Sequence, residues 1–481
     1  MQSLKRWSLK TSLLSAIRYP LSALFLYAAF SLCSLSPATA HASDFSILPS
    51  IAASEEYTDN VFQTQTDKKT DFITHLTPGL AFQYRAPFWD WDLAYLLDYR
   101  YYARNSQGGQ FSHNLNTKGD LRVIENFLFL DVNDTYQKVS LDVNRDTTAS
   151  STFVNQADQN ILTVAPHIEF HPSANFLVKS GYHYTRESYM NASSVNNSLT
   201  PFNNEEHGAF IATAYELSPN TTITTNFACA HVDTGQSNNQ VNTGQALSYN
   251  QLLPTLAIRY EYAAKSFISL EGGYSWFLYD HGHSESYPYW NAGITHSFDH
   301  IVVSLNTLVK FNTDPLQGST EEQYVSARLD KTMNRGSMGL FATYSEFRNN
   351  QQNLLDSRNY QIGGNIKHEL TEKMTGHIDL TGEKVNIKNN NNINYDITAP
   401  YQFYIGAGLA YTLVNNLTLA LDYSYTTYRQ SIGSSTNNTE INRVILGLTK
   451  SFGEVLKTKL TGDGDKGPAT SDQRVQTTAS D

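Results

Sequence analysis

Residues Trp89–Arg104 read WDWDLAYLLDYRYYAR, in which apolar and largely polar side chains alternate with a period of two residues. Successive side chains of a β-strand point to opposite faces of its sheet, so this stretch predicts a strand with one apolar and one polar face. The apolar face begins and ends in aromatic rings and comprises Trp89, Trp91, Leu93, Tyr95, Leu97, Tyr99 and Tyr101. The opposite face is largely polar and comprises Asp90, Asp92, Ala94, Leu96, Asp98, Arg100, Tyr102 and Arg104.

The length of this strand fits a lipid bilayer. The lipid-facing band of an outer-membrane barrel is about 25 Å tall and has aromatic girdles at both borders. At about 3.3 Å per residue and a tilt near 45°, the path from Trp89 to Tyr101 spans roughly 28 Å. The same alternation recurs in Phe176–Glu187, Phe267–Leu278 and Asn416–Tyr428. Only a closed barrel leaves no unpaired strand edge in lipid, so an all-β transmembrane β-barrel is predicted in preference to a soluble sandwich.

The spacing of turn-forming residues predicts the connections. From Ser43 to Phe452, nine short turns alternate with ten longer polar loops, which together join about twenty antiparallel up-and-down strands, with 18 as the nearest alternative. An even number places both termini in the periplasm. The turns are expected near residues 86–88, 125–126, 172–175, 218–220, 263–264, 299–300, 334–335, 371–373 and 415–416. The loops are expected near 60–69, 105–110, 141–157, 189–204, 234–246, 281–285, 313–320, 349–356, 389–399 and 431–438.

The first 42 residues predict export. A basic region precedes the apolar core Leu21–Leu35, which is too short to span a bilayer, and small residues follow at Ala40 and Ala42. We expect a signal peptide over residues 1–42, cleaved after Ala42, with an uncleaved anchor as the alternative. The bases of the leader are Lys5, Arg6, Lys10 and Arg18.

Composition excludes several classes of protein. Charged residues make up 16% of the chain, against about 25% in soluble domains, whereas aromatic residues reach 12%. Beyond the leader no apolar run is long enough for a transmembrane helix. The net charge of −11 argues against nucleic acid as a partner. After cleavage one cysteine remains, Cys229, which cannot form an internal disulfide and is expected to be a small wall residue.

Two further patterns concern the barrel wall. Pro78, Pro166 and Pro254 follow one another at equal spacing in similar contexts, which predicts an internal repeat, and we expect a curving bulge at each proline. The last alternating stretch ends at Phe452, which resembles the recognition signal of the barrel-assembly machinery, although Lys450 interrupts its apolar face. Residues 453–481 are poor in apolar side chains and predict a disordered periplasmic tail.

The start of the barrel resembles a known family. Ile47-Leu48-Pro49-Ser50-Ile51, Tyr57-Thr58-Asp59-Asn60-Val61, Asp71-Phe72-Ile73-Thr74 and Thr77-Pro78-Gly79-Leu80 are similar to the opening of the outer-membrane β-barrel proteins associated with the PEP-CTERM/exosortase system. Porin-like barrels of exopolysaccharide loci are similar as well. The resemblance is sharpest over residues 45–85. It implies an outer-membrane barrel of a Gram-negative cell envelope that is linked to exopolysaccharide, with no activity to transfer residue by residue.

The sequence contains no catalytic or metal-binding motif with the residue spacing that such a site requires. Residues 142–146 begin like a calcium loop, but Thr147 and Phe153 stand where Gly and Glu are required. His281 and His283 lack a third ligand at a useful spacing, which favours a solvated loop tip. No nucleophile elbow, zinc-protease motif or phosphate-binding loop occurs. We therefore predict no enzymatic activity, no metal and no cofactor.

Charges predicted to face the lumen are the best functional candidates. Opposite charges are expected either to pair across neighbouring strands and solvate the wall, or to give a pore with a weak preference for cations. By alternation the candidates are Asp90, Asp92, Asp98, Arg100, Arg104, Glu169, Lys179, Arg259, Glu261, Glu271 and Asp422.

Three functions are consistent with these patterns. The first is a passive channel or porin, linked to exopolysaccharide export or envelope biogenesis. The second is a non-conducting accessory barrel that binds envelope partners through its loops or tail, and the third, disfavoured, is an outer-membrane hydrolase. A transporter with an N-terminal plug is also disfavoured, because strand-like alternation begins by Ser46. The expected partners are outer-membrane lipid and lipopolysaccharide, the barrel-assembly machinery, and polysaccharide or export-system proteins.

Overall fold

A computed structural model of the chain describes residues 43–140, 156–193, 201–235, 248–280, 284–314, 318–351, 353–387, 401–414, 416–432, 435–453 and 456–459. Twenty long strands form one antiparallel sheet, in which each strand pairs with the next along the chain. In order they are β1 (Asp44–Thr58), β2 (Asp71–Ala86), β3 (Trp89–Tyr102), β4 (Gln110–Ile124), β5 (Leu128–Ser140), β6 (Gln156–Ser173), β7 (Phe176–Ser193), β8 (Asn204–Ser218), β9 (Thr221–Thr234), β10 (Tyr249–Ala263), β11 (Ser266–Tyr279), β12 (Ser284–Phe298), β13 (Ile301–Asp314), β14 (Gly318–Met333), β15 (Gly336–Asn349), β16 (Leu354–Glu369), β17 (Met374–Ile387), β18 (Tyr401–Thr412), β19 (Leu417–Ile432) and β20 (Ser435–Ser451).

Pairing between the first and last long strands closes the sheet. β20 lies antiparallel to β1, from Ser50 opposite Ser451 to Thr58 opposite Arg443. The predicted closed up-and-down barrel of twenty strands is therefore confirmed. A four-residue strand, β21 (Leu456–Lys459), also pairs with β1. The rest of the expected tail and the expected leader lie outside the described residues.

The nine short turns all fall where the sequence predicts them. Asn126, Lys265 and Asn416 have positive φ in three of these turns, a conformation that asparagine tolerates better than most residues. The last long loop is shorter than expected, because β19 continues to Ile432 and β20 already begins at Ser435. Backbone pairing is indifferent to side-chain polarity, so the polar residues expected in a loop extend the ladder instead. Over the described residues, no helix is long and apolar enough to span a membrane.

The strand register sorts the side chains into two faces. Leu93 lies opposite Phe82 and Thr117, whereas Asp92 lies opposite Gln83 and Lys118. We call the face of Leu93 the apolar face and that of Asp92 the polar face. Because lipid requires an apolar surface, the apolar face is the outer one. Its exposed side chains include Leu80, Leu256, Leu305, Leu340, Leu380, Leu409 and Leu446.

The three repeated prolines do not form the expected bulges. Around Pro78, Pro166 and Pro254 the ladder to the following strand skips two residues and then resumes in the same register, so no extra residue is inserted. Gly181 and Gly273 lie beside the second and third prolines, and a Cβ on either would come within 3 Å of the proline carbonyl oxygen. The missing proline N–H is thus accommodated by local ladder loss and close backbone approach.

One seam of the wall is closed by side chains at the end of the barrel that carries the long loops. β12 pairs with β13 only through Asn291–Phe298 and Ile301–Leu308. Beyond that point Phe311, which has apolar-face parity, packs against a cluster of polar-face residues. The end of β13 therefore overlaps the end of β12, with the apolar face of β13 packed against the polar face of the wall. The cluster comprises Val232, Tyr249, Phe277, Tyr279 and Tyr287.

The two faces can be distinguished by inserting a charge. Leu93→Arg places a cation near the middle of the lipid band and should lower the free energy of unfolding by about 2–4 kcal/mol. Ala94→Arg places the same group on the polar face and should cost much less. The measurement is urea unfolding of the barrel in phospholipid vesicles, and equal losses at the two positions would contradict the assignment of faces.

Candidate functional site

The strand register brings the predicted charged residues together on one face. Asp92, Glu169 and Asp422, for example, lie on different strands, and the register gives all three the parity of the polar face. The predicted residues at polar-face positions are Asp90, Asp92, Asp98, Arg100, Glu169, Lys179, Arg259, Glu261, Glu271 and Asp422.

Arg104 departs from the prediction. β3 ends at Tyr102, and the chain turns away through Asn105, whose φ is positive. The Arg104 guanidinium lies 5.3 Å from the ring centroid of Phe72 and donates a hydrogen bond to Thr70. Phe72 lies opposite Tyr57 on the apolar face. Arg104 therefore belongs to the rim of the barrel rather than to its polar wall, because alternation continues in the sequence after the strand has ended.

Most polar-face charges pair with a partner on the same or an adjacent strand. Arg85 donates two hydrogen bonds to the carboxylate of Asp92, at 2.6 and 2.8 Å. Their side chains are 46% and 47% exposed, so water screens the pair and its contribution to stability is small, about 0–1 kcal/mol. Among the other predicted residues, Asp90 pairs with Arg122, Glu169 with Lys179 at 3.3 Å, Glu261 with Arg259 at 3.2 Å and Asp422 with His377 at 3.5 Å, while Glu271 accepts a hydrogen bond from Tyr289 at 3.3 Å.

One group of charges is shielded from water, and we call it the charge cluster: Glu56, His75, Asp98, Arg100 and Arg443. The imidazole of His75 lies between two carboxylates, with Nε2 3.3 Å from Glu56 and Nδ1 3.1 Å from Asp98. Arg100 donates to Asp98 at 2.6 Å, and Nε of Arg443 lies 3.4 Å from Glu56. These side chains are only 9–21% exposed. The cluster links β20 to β1, β2 and β3 across the closure of the barrel.

The loop between β1 and β2 packs inward beside this cluster. We call residues 59–70 the mouth loop. Val61 packs against Ile73 and Tyr102, both at polar-face positions, so the loop folds inward at the long-loop end of the barrel. Asn60 donates from Nδ2 to the carbonyl oxygens of Thr64 and Glu440, at 2.6 and 3.2 Å, which fixes the loop to β20.

The sequence did not reveal these partners. Glu56 and Arg443 lie at opposite ends of the chain and meet only because β1 pairs with β20. Arg85 and Arg122 occupy correct alternation positions on β2 and β4, so strand parity was the signal that would have found them. Asp98, a predicted lumen-lining residue, is only 21% exposed and contacts both His75 and Arg100.

Other candidate sites receive no support. No group of metal-binding side chains occurs in the described ranges. Residues 142–146, His281 and His283 lie outside them. Cys229 is an exposed apolar-face residue of β9, opposite Leu252, and its thiol lies 3.6 Å from the carbonyl oxygen of Ala209.

Comparison with known proteins identifies a shared fold. No family model matches the sequence. No curated protein matches it either. The FrpB iron transporter of Neisseria meningitidis (F5-1 variant) is 9% identical, with a TM-score of 0.51 over 84% of this chain and 82% of that chain. Its apoprotein form gives 9% identity and a TM-score of 0.50, over 84% and 81% of the two chains.

A mutant of the ferric enterobactin receptor PfeA of Pseudomonas aeruginosa is also similar, at 10% identity and a TM-score of 0.49, over 85% of this chain and 80% of that chain. The two FrpB structures, with TM-scores of 0.51 and 0.50, share an outer-membrane-type β-barrel fold with this chain, and at 9% identity the likeness extends to the fold alone.

Removal of one charge from the charge cluster should destabilise the barrel. Arg443→Ala removes one of the two cationic partners of the shielded Glu56 carboxylate and leaves only His75. We expect a loss of about 2–4 kcal/mol in the free energy of unfolding. The control is Arg328→Ala, which breaks an exposed pair with Asp330 and should cost at most about 1 kcal/mol. Denaturant titration in detergent measures both, and similar losses would contradict a shielded cluster.

Proposed function

We propose that the protein is an outer-membrane channel whose polar face lines an aqueous lumen. The observation that carries the proposal is the wall itself: charged side chains recur on the polar face of a closed twenty-stranded barrel, and most of the ion pairs are half-exposed. Barrels with 16–18 strands already leave an aqueous channel, so a ring of twenty is wide enough to conduct.

An excess of acidic residues supports a modest preference for cations. Further acidic residues at polar-face positions include Glu56, Asp120, Asp131, Glu206, Glu322, Asp330, Asp379 and Glu383. Further basic residues there include Arg85, Lys118, Arg122, Lys310, Arg328, Lys367 and Arg443. Together with the predicted set, acidic residues outnumber basic ones, which favours cations over anions in a water-filled pore.

The solute class rests on the resemblance of residues 45–85 to barrels of exopolysaccharide loci. A wide lumen lined by charged and hydroxyl side chains suits a hydrated polymer better than an apolar compound. The iron compounds named for the similar structures are not transferred, because the similarity extends to the fold alone.

A non-conducting accessory barrel is the second candidate, and the mouth loop favours it. This loop packs inward and is fixed to β20, so part of the extracellular opening is covered. In that case the extracellular loops or the tail bind envelope partners such as export-system proteins.

The cellular location can be tested first. We expect the mature chain to begin at Ser43, to fractionate with the outer membrane, and to migrate anomalously on SDS gels unless boiled, because a closed barrel resists the detergent. Cell fractionation, amino-terminal sequencing and gel mobility provide the measurements. Recovery of native protein in the soluble periplasm would contradict the proposed placement.

Conductance in planar bilayers tests the channel. The variant Asp92→Asn, Glu261→Gln, Asp422→Asn removes three half-exposed acidic groups outside the charge cluster. It should shift the reversal potential in a salt gradient toward anion preference without unfolding the barrel, since water already solvates these side chains.

The matched control neutralises three bases of the same wall, Arg85, Lys179 and Arg259, and should shift the reversal potential in the opposite direction. Absence of conductance by the native protein would reject the channel and favour the accessory barrel. Conductance with unchanged selectivity in both variants would reject the assignment of the polar face to the pore.

A further inference from the structure

A groove on the apolar face is the feature of interest. It crosses β15 to β19, has a volume of about 580 Å³, and is lined largely by apolar atoms. This volume lies within the range of small-molecule sites in proteins, about 300–1,000 Å³. The lining residues used below are Tyr360, Ile362, Gly382, Lys384, Phe403 and Arg429.

A missing side chain creates the floor of the groove. Gly382 lies between Ile362 on β16 and Phe403 on β18 in the same rung of the ladder. The nearest atom to a Cβ built on Gly382 is Cγ2 of Ile362, at 3.8 Å. Backbone strain therefore does not require glycine here, and its effect is to leave a channel between two apolar walls.

Two cations stand at the extracellular end of this channel. Lys384 and Arg429 lie on either side of Tyr401 in the next rung, and Nζ of Lys384 is 5.2 Å from the centroid of the Tyr401 ring. Both side chains are exposed. Across the described ranges no carboxylate forms an ion pair with either of them, in contrast to most bases of the polar face. Two positive charges beside an apolar groove are thus available to an anion.

The height of these cations matches the border of the membrane. From Leu417, where β19 begins, to Arg429 the strand rises roughly 28 Å at about 3.3 Å per residue and a tilt near 45°. The apolar band is about 25 Å tall, so Arg429 and Lys384 reach the plane of the lipid headgroups while Ile362 and Phe403 remain among the acyl chains. Because the long loops lie at this end, the leaflet concerned is the outer one.

We propose that the groove binds lipopolysaccharide, with one acyl chain along Gly382 and a phosphate group between Lys384 and Arg429. Cations without an ion-pair partner beside an apolar channel are complementary to an amphiphile with an anionic head. Phosphorylated lipid in the outer leaflet of the outer membrane is such an amphiphile. The inference rests on the membrane placement proposed above but not on conductance.

Binding of fluorescent lipopolysaccharide to the purified, detergent-solubilised barrel tests the proposal. Lys384→Ala with Arg429→Ala should weaken binding about tenfold or more, because two charge-assisted contacts with phosphate are lost. Gly382→Phe should weaken binding to a similar extent while keeping both cations, since it fills the channel. Dephosphorylated lipopolysaccharide should bind the native barrel about as weakly as phosphorylated lipopolysaccharide binds the double variant.

The matched control is Lys331→Ala with Arg335→Ala, which removes the same charges from the short-turn end of the barrel and should leave binding unchanged. Equal binding by the native protein and the Lys384/Arg429 variant, or equal binding of phosphorylated and dephosphorylated lipid, overturns the proposal. If native protein is heat-modifiable and located in the outer membrane but binds no lipopolysaccharide, this inference alone fails. If it is not a membrane barrel, the placement fails as well.

Discussion

The backbone hydrogen bond between the first and last long strands is the constraint on which this architecture depends. Lipid offers no partner for an unpaired N–H or C=O group, so a sheet in the membrane must close on itself. Here closure joins β1 to β20, with Ser50 opposite Ser451 and Thr58 opposite Arg443. Closure also explains the even number of strands, because neighbouring strands in an antiparallel ring must alternate in direction all the way round.

Where the ladder is incomplete, close packing replaces it. At Pro166 and Pro254 the missing pairs are accompanied by a glycine on the next strand, which lets the two backbones approach. Along the β12–β13 seam beyond Leu308, aromatic rings of the polar face pack against Phe311 of the neighbouring strand. In both places contacts between neighbouring strands continue where the ladder pairs are missing.

The distribution of charge follows from the same closure. On most of the polar face, ion pairs are half-exposed and contribute little to stability, but at the junction of β20 with β1 five ionisable side chains are only 9–21% exposed. Shielded charges must satisfy one another, and His75 between Glu56 and Asp98 does so together with two arginines. This group of closely spaced ionisable side chains therefore lies where the two ends of the barrel meet, beside the inward-folded mouth loop.

The sequence by itself determined the strands, their two faces, the positions of the short turns and the number of strands, because side-chain alternation and turn-forming residues are local signals with a fixed period. It therefore grouped Asp90, Glu169 and Asp422 on one face, and the strand register gives them the same parity. It did not determine where β3 ends, so Arg104 was misplaced, nor which charges meet, so Glu56, His75 and Arg443 were missed. Only the tertiary structure decided the charge cluster, the overlapping seam and the groove at Gly382, because each depends on register between strands and on closure of the ring, which bring together residues that no local pattern connects.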